Sequence, residues 1–199
     1  MLFIDTPLIY KELLFNKIRR GNRILILDYN KDYNNIFDNI DIIKNLNIEI
    51  HVVNVKKNKI EELYKIAKEK EYNKIEFHSY DIFEIDENIK YNNIIFFNIF
   101  CKFKDEEIEK LLEKSKLLLK NINSSNLIFI NNIITKYNQY IYHPFSYIRD
   151  YFCDNCVYIT DMYDKLRNNG LYVIDSYRLF TFNIPTYPIE FFSVICTIR

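Results

Sequence analysis

The sequence predicts an α/β domain, a three-layer sandwich in which helices cover both faces of a mostly parallel sheet with an antiparallel C-terminal strand. Three observations predict it. Short apolar runs alternate with longer charged stretches whose apolar residues recur at helical spacing, as in a chain that crosses repeatedly over a buried parallel sheet. The last two apolar runs are joined by a connection too short for a parallel return, which needs roughly a dozen residues or more, so these two lie antiparallel. A hydrophobic fraction of 49% in 199 residues supplies one sizeable core, so residues 1–199 are read as a single domain.

The elements follow in order. Leu8 to Arg20 has helical spacing and ends in Arg19, Arg20 and Gly21, a basic last turn followed by a closing glycine, which makes 1–21 a helical lead-in. The first strand is Arg23 to Asp28 (RILILD) and the second Ile48 to Val55 (IEIHVVNV). Between them a helix over Asn34 to Asn45 turns Ile36, Phe37, Ile40 and Ile43 inward. Lys59 to Glu71 is an amphipathic helix with Ile60, Leu63, Tyr64 and Ala67 on one face, followed by a third strand, Ile75 to Tyr80. The fourth strand is Asn93 to Phe100 (NIIFFNIF), and the fifth is Asn126 to Ile134 (NLIFINNII). The helix between them, Asp105 to Lys120, has Asp105 as its N-cap and acidic residues in the first turn, where the helix dipole favours them. An aromatic segment without clear periodicity, Lys136 to Tyr151, then makes 136–158 a cap segment. The helix Ile159 to Asn169 is closed by Gly170, and the strands Leu171 to Phe182 and Phe191 to Ile198 complete the chain.

Composition excludes several functions. Lys and Arg number 27 against 27 Asp and Glu, so no global positive field gathers nucleic acid or anionic lipid. No apolar run approaches the roughly 20 residues of a membrane helix, and Asp5 and Pro7 interrupt any leader-like start, which reads as an intracellular, cytoplasmic protein. The four cysteines form no disulfide framework, and Cys153-x-x-Cys156 lacks a second pair. The histidines show no metal spacing either, so no metal site is expected. With only 2 glycines beside abundant Asn, Ile, Lys and Tyr, the coding sequence reads as AT-rich, and glycine loss is expected throughout.

Two stretches carry a family resemblance. YNNIIFFNIFCKFKDEEIEKLLEKSKLLLKNINSSNLIFINNII, from Tyr91 to Ile134, resembles the fourth strand, following helix and fifth strand of class I S-adenosylmethionine-dependent methyltransferases. LRNNGLYVIDSYRLFTFNIPTYPIEFFSVICTIR, from Leu166 to Arg199, is similar to that family's closing helix, glycine turn and last two strands. The likeness is greatest to the small-molecule branch that includes ubiquinone and menaquinone methyltransferases. It implies a Rossmann-like, seven-stranded sheet whose last strand is inserted antiparallel between its neighbours.

The resemblance also implies a site. The family's acid-x-Gly-x-Gly-x-Gly turn falls on Asp28, Asn30, Asp32 and Asn34, with every glycine replaced by a residue that tolerates positive φ. Asn54 stands where the family's acid holds the ribose hydroxyls, and Asp81 with Ile82 stands beside the adenine. Asn98 completes the implied cofactor set, and Asn92 replaces an Asp at the start of the fourth strand. His143 is the candidate base, and Tyr140, Tyr142 and Arg149 are the candidate substrate contacts. The implied activity is methyl transfer from S-adenosylmethionine to a small aromatic or lipophilic molecule. The alternative is a catalytically inactive descendant serving as a binding, scaffolding or activating subunit for a protein partner. Methyl transfer from a sulfonium proceeds mainly by alignment and desolvation, so the lack of a catalytic dyad separates neither reading.

Overall fold

The computed structural model describes residues 17–28, 34–97, 99–101, 103–121, 124–134, 156–184 and 187–198. Its sheet is built from β1 (Arg23–Asp28), β2 (Glu49–Val53), β3 (Ile75–Phe77), β4 (Asn93–Phe97), β5 (Asn126–Ile134), β6 (Cys156–Tyr158), β7 (Leu171–Ile184) and β8 (Tyr187–Ile198). The strand order is β3-β2-β1-β4-β5-β8-β7, with β6 beside β5. The strands β1 to β5 pair parallel, and β8 pairs antiparallel with both β5 and β7. This is the Rossmann-like arrangement expected, including insertion of the last strand between its neighbours, with β6 an eighth strand beyond the seven expected.

Alternation along the central strands makes two cores. Ile24, Ile26, Ile50, Val52, Ile95 and Ile128 face one side and pack against α1 (Asn34–Asp38), α2 (Ile40–Asn45) and α3 (Lys57–Glu69). Leu25, Leu27, Val53, Ile94, Phe96 and Phe129 face the other and pack against α4 (Asp105–Leu118) and α5 (Ile159–Asn168). Because period-2 side chains are apolar on both faces, helices must cover both. Phe96 and Phe129 stack at 5.0 Å between centroids across β4 and β5.

Several boundaries move for physical reasons. The expected helix over Asn34 to Asn45 is two short helices broken at Asn39, yet Ile36, Phe37, Ile40 and Ile43 are all buried as one stripe. The β3 ladder ends at Phe77, and β4 ends at Phe97 before a 3₁₀ turn over Ile99–Cys101. Lys104, not Asp105, is the N-cap of α4, and its N–H donates to Glu107 Oε2 at 2.8 Å, so Asp105 begins the helix. Residues 156–158, expected within the cap, form β6 instead. They take the side of β5 that β4 vacates past the Phe97–Ile130 pair. Residues 17–20 are turn and coil rather than helix, and the rest of the lead-in lies outside the described residues.

The amino edge of the sheet is joined by asparagine amides. Asn93, almost fully buried, donates through Nδ2 to Asn22 Oδ1 at 3.0 Å and accepts from Asn126 Nδ2 at 2.9 Å. Asn92 accepts the Arg23 N–H at 2.9 Å. At the outer edge, the Tyr64 hydroxyl accepts the Phe77 N–H at 3.1 Å, which satisfies a donor that β3 would otherwise leave unpaired.

Removing the central amide takes the acceptor from Asn126 Nδ2 and one of two donors from Asn22 Oδ1, which keeps the Arg19 N–H. Asn93→Ala is therefore expected to lower unfolding free energy by about 1–3 kcal/mol in chemical denaturation. Glu71 closes α3 at φ 53, so Glu71→Gly is expected to raise it by about 1 kcal/mol, since the left-handed region costs a side-chain-bearing residue roughly 1–2 kcal/mol.

Candidate functional site

Open α/β sheets bind ligands at the carboxyl ends of their strands, where the strand order reverses. Here the reversal lies between β1 and β4, because β2 and β3 extend one way from β1 and β5 extends the other from β4. Parallel pairing places the ends of β1, β2 and β3 on one edge. Asp28 ends β1, and Asn54 follows the Leu27–Val53 pair of β1 and β2. Asp81 follows β3 after a short extension in which His78 N–H donates to Val52 O at 2.8 Å.

Two of these positions have informative local geometry. Asn54 adopts φ 60, the left-handed region that Asn enters more readily than most residues, and its N–H donates to Tyr80 O at 2.9 Å. That bond ties the end of β2 to the residue preceding Asp81. Asp81 then opens a 3₁₀ turn over Ile82–Glu84, and its N–H donates to Glu84 Oε1 at 3.0 Å. Its carboxylate Oδ1 is buried and has no hydrogen-bond partner among the described residues. Buried polar atoms are nearly always paired, so an acceptor held without a donor fits a site completed by a bound ligand. Ile82 is fully buried in the core beneath that turn with Leu25, Leu27 and Val53, and it fixes where Asp81 stands.

The other sequence-derived positions distribute unevenly. Asn34 is the first residue of α1. Asn30, Asp32, Asn98, Tyr140, Tyr142, His143 and Arg149 lie outside the described residues. The segment that holds the last four is nevertheless bracketed by two described strands. It leaves from the end of β5 at Ile134 and returns at Cys156, paired with Asn132. Both of its ends therefore sit at the carboxyl edge of the sheet, the same edge as Asp28, Asn54 and Asp81.

Sequence reasoning passed over a second polar group. His51 on β2 and Glu76 and His78 in and just beyond β3 meet on the α4 side of the sheet, and one ligand atom from each lies within 4.8 Å of the others. The signal was the alternation Glu76-x-His78, which places both on one face of a strand. Burial lowers the His78 imidazole against the opposing pull of Glu76. Burial, with Glu76 and Glu84, raises the Tyr80 phenol, which stays neutral.

No family model matches the sequence, and no curated protein matches it. Solved structures share the fold. Magnesium protoporphyrin IX methyltransferase from Synechocystis PCC 6803, with bound SAH, superposes at TM-score 0.60 and 13% identity over 96% of this chain and 80% of that one. Geranyl diphosphate C-methyltransferase from Streptomyces coelicolor A3(2), in complex with Mg2+, geranyl diphosphate and S-adenosyl-L-homocysteine, gives TM-score 0.69 and 7% identity over 95% and 78%. The pyocyanin biosynthetic protein PhzM gives TM-score 0.68 and 10% identity over 96% of this chain, which spans 55% of that one.

An unpartnered buried carboxylate oxygen contributes nothing to the stability of the ligand-free protein. Asp81→Asn is expected to leave the thermal midpoint of the free protein unchanged or raised, because the bond from its N–H to Glu84 remains. A fall in the midpoint would mean that the carboxylate is held by a donor within the protein.

Proposed function

We propose that this chain is an S-adenosylmethionine-dependent methyltransferase acting on a small aromatic or lipophilic molecule. The observation that carries the reading is the buried Oδ1 of Asp81, without a partner among the described residues, at the carboxyl edge of the sheet beside the strand-order reversal. The fold neighbours support it, since magnesium protoporphyrin IX methyltransferase and geranyl diphosphate C-methyltransferase act on small molecules and hold S-adenosyl ligands. The local resemblance over Tyr91 to Ile134 favours an acceptor of the kind handled by the ubiquinone and menaquinone branch.

In this reading Asp81 accepts a hydrogen bond from the adenine amino group, and the Asn54 carboxamide bonds a ribose hydroxyl. An amide gives up the charge-assisted part of that second bond, about 1 kcal/mol. Asp28, Asn30, Asp32, Asn34 and Asn98 form the turn and wall around the remainder. When bound, the sulfonium supplies an activated methyl group whose leaving group departs neutral. The protein's work is then to align the acceptor and exclude water. Tyr140, Tyr142 and Arg149 position the acceptor, and His143 takes its proton where one must leave. Of the three histidines, His51 and His78 belong to the cluster on the sheet face, which leaves His143 for that role.

Binding to the unaltered protein is weak in this reading, because three side chains replace glycines where backbone should approach the ligand, and Asp32 adds negative charge near a carboxylate. Calorimetry with S-adenosylhomocysteine tests both halves. Asp81→Ala is expected to weaken binding by roughly 5-fold to 150-fold, the equivalent of about 1–3 kcal/mol. The combined change Asn30→Gly, Asp32→Gly and Asn34→Gly is expected to tighten it by roughly 30-fold to 1000-fold, or about 2–4 kcal/mol. No binding even with the glycines restored would defeat the enzyme reading and leave the chain as a scaffolding subunit.

A further inference from the structure

We infer that His51, Glu76 and His78 form a site for a first-row divalent cation, with zinc the ion that fits, clipping β2 to the edge strand β3. This inference stands apart from the crevice and needs no methyl donor.

The geometry converges on one point. Nε2 of His78 lies 3.2 Å from Glu76 Oε2, and Nε2 of His51 lies 3.8 Å from the same oxygen. A tetrahedral zinc with bonds of about 2.0–2.2 Å separates its ligands by roughly 3.3 Å, so small side-chain rotations bring all three to coordinating distance. The donor set of two imidazoles and a carboxylate is one that zinc takes with its fourth position open to water. His78 Nε2 is a buried atom with no well-formed hydrogen bond among the described residues, only the close approach to Glu76. A cation shared between nitrogen and carboxylate satisfies both.

Outer contacts orient the ligands. When a cation displaces the hydrogen bond that His51 Nε2 donates to Glu49 Oε1, the imidazole proton moves to Nδ1, where the buried Tyr91 hydroxyl 2.9 Å away accepts it. The His78 ring stacks on Tyr80 at 4.6 Å between centroids and 21° between planes. Glu49 Oε1 stands 3.1 Å from His51 Nε2 and is itself held by Arg23 Nε at 2.8 Å. Two carboxylates thus face two imidazoles with one guanidinium between them, which leaves negative charge for a cation to balance. Glu76 is 55% exposed, which gives the ion a way in. Tyr80, stacked on one ligand, is also the residue whose carbonyl holds Asn54, so the clip braces the corner from which Asn54 and Asp81 project.

The test is titration of chelator-treated protein with Zn2+ by calorimetry and with Co2+ by visible absorption. We expect one ion per chain, a cobalt spectrum of tetrahedral nitrogen and oxygen ligation, and a higher thermal midpoint with zinc. Glu76→Gln and His78→Gln are each expected to weaken binding by more than roughly 100-fold, and Tyr91→Phe by roughly 10-fold, the range for an outer partner. Circular dichroism of each variant in chelator separates lost ligation from lost folding. Binding that survives Glu76→Gln and His78→Gln but vanishes with Cys153→Ser and Cys156→Ser would overturn the assignment. So would a cobalt–thiolate charge-transfer band, or the absence of any binding by the folded protein at millimolar zinc.

Discussion

The constraint on which the rest of the structure depends is burial of the parallel strands on both faces. Leu25, Leu27, Val52, Val53, Ile94 and Phe96 are all fully buried or nearly so, so the central sheet has no room for chemistry within it. Polar groups are displaced to its margins. At the amino margin, Asn22, Asn92, Asn93 and Asn126 use their amides to join strands. At the carboxyl margin, Asn54 and Asp81 stand on turns, and one carboxylate oxygen is left open. The exception, His51 beneath helix α4's side of the sheet, lies near the outer strand, where cover from helices gives out and the charged residues Glu49 and Glu76 reach solvent.

Much of this was legible in the sequence, because apolar periodicity records which faces are covered. The limits of β1 and β5 were read to the residue, and so was the antiparallel insertion of the last strand. What escaped depends on contacts between segments. The break at Asn39 leaves the inward stripe intact, so periodicity cannot reveal it. The strand β6 exists only because β4 stops at Phe97 and frees one side of β5, which no local pattern encodes. In the site, Asn54 and Asp81 were legible through their register after strands. The grouping of His51 with Glu76 and His78 needs two strands in parallel register, His51 opposite Glu76, and is invisible to spacing along one segment.

A chain with 2 glycines must still turn sharply, and asparagine takes over part of that task. Both glycines have positive φ, and so do Asn47, Asn54 and Glu71. Asn47 follows α2 where a helix commonly places glycine, and its side chain accepts a hydrogen bond from Lys74 Nζ at 2.6 Å. Of the three positions read as replaced glycines, Asn34 opens α1 without a positive φ, and Asn30 and Asp32 lie outside the described residues.

The position of β8 also bears on how the chain is made. During synthesis β1 to β5 can pair as they emerge, but the long edge of β5 must wait for β8, which follows β6, α5 and β7 in the chain and then slots in ahead of β7. Until then the nascent protein presents Leu127 to Ile133 as an open strand edge, the kind of surface that recruits other unfinished chains. Such late, long-range pairing slows folding. Yield in a cell would then depend on how quickly the hairpin of β7 and β8 docks, and on chaperones that shield β5 meanwhile, more than on the stability of the finished domain.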